Sequence, residues 1–203
     1  MNANAIRKES PLAQFMARKG AALRAARAGV LLRERRFLGH INLRGDSTDA
    51  AWAGAVEGIL GVPLPLRPNT AATLGERVIH WLGPDEWLIV CPGEEQGQLF
   101  DALIALQGER HMAATAVGGG QTVIRLSGER VREVFAKGCT LDFHPWAFQP
   151  GDCAQSTLGK APALFRLCDD GAFELVIRRS FADYIGLWLA DAAEEFGLCV
   201  VED

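Results

Sequence analysis

No run of apolar residues in this chain approaches the roughly 18 that a membrane-spanning helix needs. The longest near the N-terminus, Ala28-Gly-Val-Leu-Leu32, is too short and too far along for the apolar region of a secretory leader. The five cysteines (Cys91, Cys139, Cys153, Cys168, Cys199) are odd in number, scattered, and form no Cys-x-x-Cys pair. That argues against a disulfide framework and a zinc ribbon, and for reduced thiols in a cytoplasmic protein. Gly-x-Ser-x-Gly, Walker A, His-Glu-x-x-His and Cys–His patterns are also missing, so no common catalytic signature is present. What remains is an ordinary globular mixture of 203 residues, 49% apolar and 23% charged, enough for one large domain or two small ones.

The net charge of -4 conceals an asymmetry. Residues 1–36 carry nine Lys/Arg against Glu9 and Glu34, while the remaining residues carry 12 basic and 23 acidic side chains. A basic arm, 1–36, on an acidic body, 37–203, has three uses: docking on an acidic partner, contacting nucleic acid, or folding back on the body. Nucleic acid is disfavoured, because the arm has one aromatic for stacking, Phe15, and the body repels phosphates. An Arg-rich, acid-poor leader also fits a transit peptide. Its Ala-rich stretch, 21–28, is expected to be helical only when docked.

From Phe37 the chain alternates strand and helix patterns. Phe37–Arg44 reads as a strand. Ser47, Thr48 and Asp49 precede a helix with the stripe Trp52, Val56, Ile59, closed by Gly61. The Pro-rich segment 61–69 reads as an edge or loop. The runs Val78–Leu82 and Trp87–Val90 flank Gly83-Pro-Asp-Glu86, a hairpin tip. A helix over 94–107 carries Leu99, Leu103 and Leu106, and Ala113–Val117 reads as a strand. The second part repeats this plan. Gln121–Leu126 is a strand, and Ser127 caps a helix with Val131, Val134 and Phe135 inward. Ala163–Cys168 and Ala172–Ile177 form a hairpin across Asp169-Asp-Gly171. Ser180 with Asp183 resembles a capping box, and Leu198–Val201 closes as a strand. Ile41-Asn-Leu-Arg-Gly45 lines up with Ile124-Arg-Leu-Ser-Gly128, and Ile79, Trp87, Leu99 and Leu103 line up with Phe165, Phe173, Ile185 and Leu189. The expected fold is α+β: two split β-α-β, ferredoxin-like halves, 37–118 and 119–203, packed as one domain.

Each candidate for chemistry has a plainer reading. Asp85 and Glu86 are neighbours at a turn, where side chains diverge rather than converge. Gly118-Gly-Gly120 is followed by a strand, not a helix N-terminus, and reads as a joint between the halves. Cys139, Asp142, His144 and Cys153 lack a standard zinc spacing and lie among Phe143, Trp146 and Phe148. His40, His80 and His111 are isolated. No catalytic, cofactor-binding or metal residue is assigned. One feature points outward: Tyr184, Ile185, Leu187 and Trp188 spread apolar groups round the last helix, a candidate partner interface.

Several ordered motifs resemble the gamma subunit family of heterotetrameric sarcosine oxidases. They are Asn42-Leu-Arg-Gly-Asp46, Leu64-Pro-Leu-Arg-Pro-Asn69, Leu82-Gly-Pro-Asp-Glu-Trp-Leu88, Ile124-Arg-Leu-Ser-Gly128, Lys137-Gly-Cys-Thr-Leu-Asp-Phe-His-Pro145, Phe148-Gln-Pro-Gly151 and Arg179-Ser-Phe-Ala-Asp-Tyr184. The resemblance implies a structural chain in an alpha, beta, gamma, delta complex, packed mainly against alpha. Such complexes demethylate sarcosine to glycine with oxygen, release peroxide, and pass the one-carbon unit to tetrahydrofolate. FAD, covalent FMN, NAD and folate are then expected on alpha and beta, and zinc on delta, with none on this chain. The implied fold is that of the folate-binding region of aminomethyltransferases, which leaves a stand-alone folate-binding domain as the alternative. Where relatives read Asp-x-Ser before the Ile-x-Leu-Ser-Gly strand, this chain has Ala116-Val-Gly118, which weakens that alternative.

Overall fold

The computed structural model describes residues 8–20, 22–23, 28–108 and 110–201. Most of the Ala-rich stretch expected to be helical lies outside them. A single helical turn, α1 (Ala13–Phe15), runs into a π-helical turn, Met16–Gly20, ahead of β1 (Val30–Arg35). Next come β2 (Gly39–Arg44), α2 (Ala50–Leu60), β3 (Ala71–Leu74), β4 (Arg77–Gly83) and β5 (Glu86–Cys91). They are followed by α3 (Gln96–Ala105), β6 (Ala113–Ala116), β7 (Gln121–Ser127) and α4 (Val131–Ala136). The chain ends with β8 (Cys153–Leu158), β9 (Ala161–Leu167), β10 (Phe173–Arg178), α5 (Ala182–Ala192) and β11 (Leu198–Val200).

The strands form a five-stranded sheet, β3-β4-β5-β2-β6, and a six-stranded sheet, β11-β1-β7-β10-β9-β8. Both follow one plan. In the first, β2, β4, β5 and β6 take the four strand positions of a split β-α-β unit, with β3 added at the edge. In the second, β7, β9, β10 and β11 take the same positions and β8 is the added edge. The aligned residues occupy equivalent places: Ile79 and Phe165, Trp87 and Phe173, Leu103 and Leu189 are all buried.

One strand breaks the symmetry. β1 lies between β11, with which it pairs in parallel, and β7, with which it pairs antiparallel. The expected boundary between an arm and a body at residue 37 is therefore corrected: Val30–Arg35 is an interior strand. It escaped notice because three of its six residues, Arg33, Glu34 and Arg35, are charged. Val30 and Leu32 point into the core, and Glu34 is buried against the hydroxyls of Ser10 and Thr122.

Strand alternation builds four layers, helix–sheet–sheet–helix. On β5, Trp87, Ile89 and Cys91 face the helices, while Leu88 and Val90 face the other sheet. On β10, Phe173, Leu175 and Ile177 face the helices, while Glu174 and Val176 face inward. The first outer core joins Trp52 and Trp87, with ring centroids 5.9 Å apart, to Val56, Leu60, Leu99 and Leu103. The second is built around Phe135, whose ring lies 4.9 to 5.3 Å from those of Phe143, Phe165 and Phe173.

Local signals account for some helix ends and miss others. Asp49 caps α2 by accepting from the N–H groups of Ala51 (2.9 Å) and Trp52 (3.1 Å), and Gly61 ends it in the left-handed region at φ 76°. The expected caps in the second half are corrected. Ser127 is the last residue of β7, and Arg130 stands at the start of α4 without a side-chain cap. No capping box forms at α5: Ser180 lies inside a 3-10 turn, Phe181 stands at the N-cap, and Asp183 pairs with Arg18.

The N-terminal segment also covers α5. Phe15 is fully buried, and a Cβ on Gly186 would sit 2.6 Å from its ring, so only glycine allows this approach. Gly186→Val is expected to lower stability by about 1–3 kcal/mol through overpacking, measured by urea denaturation of the full chain. An unchanged midpoint would show that this contact is absent in solution.

Candidate functional site

The seam between the sheets holds a buried carboxylate and a buried guanidinium, Glu174 and Arg166. Glu174, on β10, stands directly across from Arg166 on β9 and Arg125 on β7. Its carboxylate accepts from Arg166 (2.7 Å), Arg35 (2.9 Å) and, more distantly, Arg125 (3.4 Å). Burial alone would raise its pKa, but the charges and hydrogen bonds of Arg166 and Arg35 outweigh this and hold it below the usual carboxylate value. Outer acids finish the pairing: Asp170 bonds Arg125, and Glu76 lies 3.7 Å from Arg35. A cavity of about 600 Å³ opens beside this cluster, lined among others by Arg33, Arg36, Thr73 and Asp169.

Two histidines share the seam. Burial pushes His40 down to about 4, and burial with the neighbouring Arg166 charge pushes His80 down to about 3. Both are neutral imidazoles at neutral pH. The buried thiols move the other way, Cys91 up to about 11 and Cys153 to about 12, chiefly through desolvation, so they stay protonated. This chemistry is that of an ionic lock. The acid is already ionised and bound by arginines, the bases lie well below neutrality, and the thiols are not nucleophiles.

The sequence candidates are dispersed. Asp85 is exposed at the two-residue hairpin tip, and its carbonyl accepts from Gly45 N. Glu86 turns away to bond Asn42 (2.7 Å) and Arg44. Gly118-Gly-Gly120 is a 3-10 turn linking β6 to β7. Asp142 accepts from His144 N (2.8 Å), His144 Nδ1 takes the Trp146 N–H, and the Cys153 thiol donates to Thr70 O. His111 is exposed. Among the described residues no three of His, Cys, Asp and Glu gather as a metal would need.

The expected partner interface on α5 is largely occupied from within. Ile185 is fully buried, and Tyr184, Leu187 and Trp188 are half-buried against the chain's own second core. Tyr184 Oη accepts from Lys160 N (3.0 Å), and Trp188 lies over Gly138 and Gly159. The sequence pattern assigns the second apolar side of the helix to a partner. In the structure it meets the chain's own N-terminal segment and the turns at residues 138 and 159.

The ionic cluster leaves only a trace in the sequence. Arg125, Arg166 and Glu174 are single charges inside the apolar runs Val123–Leu126, Ala163–Leu167 and Phe173–Ile177. A lone charge in a strand buried on both faces needs a cross-strand partner, and these three provide one another's.

The comparisons with known proteins agree with one another. A family model described as the sarcosine oxidase gamma subunit family matches residues 44–195. The chain is 30% identical over 198 residues to sarcosine oxidase subunit gamma of Corynebacterium sp. (strain U-96), covering 96% of this chain and 94% of that one. It is 32% identical over 168 residues to the corresponding subunit of Arthrobacter sp., covering 82% and 81%. Among solved structures, it is similar to a chain of heterotetrameric sarcosine oxidase from Corynebacterium sp. U-96 in complex with pyrrole 2-carboxylate. That match has a TM-score of 0.83 at 28% identity over 93% of this chain and 96% of that one. The aminomethyltransferase T of the Bartonella henselae glycine cleavage system shares the fold, with a TM-score of 0.70 at 14% identity over 96% of this chain and 59% of that one.

The seam histidines set an acid limit on stability. The unfolded chain takes up protons near pH 6.5, whereas the folded chain refuses them until about 4 and about 3. Stability is therefore fully present above pH 6.5 and falls as the pH drops towards the folded values. The expected loss between pH 7 and pH 5 is about 4 kcal/mol, read from urea denaturation at each pH. A flat profile over that range would contradict burial of the two imidazoles.

Proposed function

The chain belongs to the sarcosine oxidase gamma subunit family, and from that we propose that it works as a non-catalytic scaffold within the oxidase. It is a gamma subunit of a heterotetrameric sarcosine oxidase. Its partners in this reading are the alpha, beta and delta subunits, chiefly alpha, in the cytoplasm. FAD, FMN, NAD, tetrahydrofolate and zinc belong to those chains. The observation that carries the scaffold reading is the seam: Glu174, Arg166, Arg35 and Arg125 are committed to one another, leaving a body for others to pack on.

A docking anchor on another subunit's behalf is best placed at Trp146. Its surface is 87% exposed, yet its loop is held by Asp142, bonded to His144 N, and Asp152, bonded to Gln149 N. A large apolar side chain presented on an ordered loop loses little entropy when a partner buries it. The described residues contain no helix long and apolar enough to cross a membrane.

Co-expression with the other three subunits and affinity capture through this chain tests the reading. The eluate is expected to contain all four chains, absorb as a flavoprotein, and produce peroxide with sarcosine. An active three-chain oxidase that forms without this chain would overturn it. Trp146→Ala is expected to reduce recovery of the assembled complex about tenfold, while the variant chain keeps its thermal midpoint.

A further inference from the structure

A second cavity, of about 520 Å³, lies where the N-terminal segment crosses the start of β2 and β7, and neither the seam nor the scaffold role accounts for it. Its walls include Lys8, Phe37, Gly93, Gln96, Gln121 and Arg179. Two of its cations lack acids. Arg179 donates only to the Glu9 carbonyl (3.2 Å), and Lys8 lies over the Phe37 ring, 5.9 Å from its centroid. Neither forms an ion pair among the described residues. Arg35 adds a third cation, already held by Glu174, and Glu9 is the one acid in the lining.

Phe37 is the most telling wall. It is a non-glycine residue at φ 58°, with 47% of its surface exposed, so the backbone is strained to present an apolar ring to open space. Gly93 lets the chain pass close by: a Cβ there would sit 2.2 Å from the Phe37 carbonyl oxygen.

We propose that this cavity binds a small aromatic carboxylate, its ring against Phe37 and its carboxylate between Lys8 and Arg179. The aromatic wall selects a planar group, and the two free cations select an anion.

Indole-2-carboxylate is a suitable probe, with its neutral carboxamide as control, titrated by calorimetry into the full chain and into the assembled oxidase. Saturable binding is expected, about tenfold weaker for the carboxamide and for Arg179→Gln, the loss of one charge-assisted hydrogen bond. Phe37→Gly should also weaken binding while keeping or raising the thermal midpoint, because glycine relieves the positive φ. Lys8→Gln, at an exposed side chain, gives a third readout if either of the others misfolds. Binding by the free chain but not the complex would place the cavity under a partner subunit and overturn its use as a small-molecule site in the enzyme. Absence of saturable heat, or binding indifferent to all three substitutions, would overturn the proposal outright.

Discussion

The rest of the structure is organised around one carboxylate. Glu174 lies between two sheets that would otherwise meet through Leu88, Val90, Val123, Leu164 and Val176, and it is held there by arginines from three other strands. Arg35 comes from β1, Arg125 from β7 and Arg166 from β9, so a single group fixes the register of four neighbouring strands. A buried ion pair adds little net stability over an apolar pair of the same shape, because both charges lose their hydration. Its effect is to penalise alternatives. A one-residue slip of any of these strands would send an arginine into an outer core and leave the carboxylate uncompensated.

The same arrangement explains why the N-terminal strand belongs to the body. β1 supplies Arg35 to the seam and Glu34 to the opposite face, where Ser10 and Thr122 receive it. Ser10 in turn leads into Leu12 and Phe15, which bury themselves on the second core and on Gly186 of α5. Basic residues that appear in the sequence as a free arm are thereby partly spent inside the fold. Arg35 closes the ionic cluster, and Arg18 pairs with Asp183. A chain so occupied with its own charges suits a subunit whose work is to be packed against.

Much of this was legible in the sequence. The two-fold repeat appeared in matched apolar residues, and those residues do fill equivalent core positions, Trp87 opposite Phe173 and Leu103 opposite Leu189. The hairpin tips at Pro84-Asp85 and Asp169–Gly171 followed from turn chemistry, and Asp49 from capping chemistry. What escaped was governed by distant partners. β1 looked like an arm because partners of its charges, Glu174 and Thr122 among them, lie far along the chain. The apolar surplus of α5 looked like an interface because its cover, Phe15, lies 171 residues upstream of Gly186. The edge strands β3 and β8 went unread because Ala71–Leu74 and Cys153–Leu158 have mixed exposure and little apolar alternation.

In our reading the charged seam serves architecture and assembly rather than turnover. The most direct measurement is sarcosine-dependent peroxide production per flavin in the four-chain complex, compared between the native chain and Glu174→Gln, alongside the yield of complex. Removing one partner of a buried ionic cluster costs about 3–5 kcal/mol, so the yield is expected to drop sharply. The complexes that do assemble should turn over at the native rate per flavin. Normal assembly with lost turnover would contradict the account and put Glu174 in the chemistry.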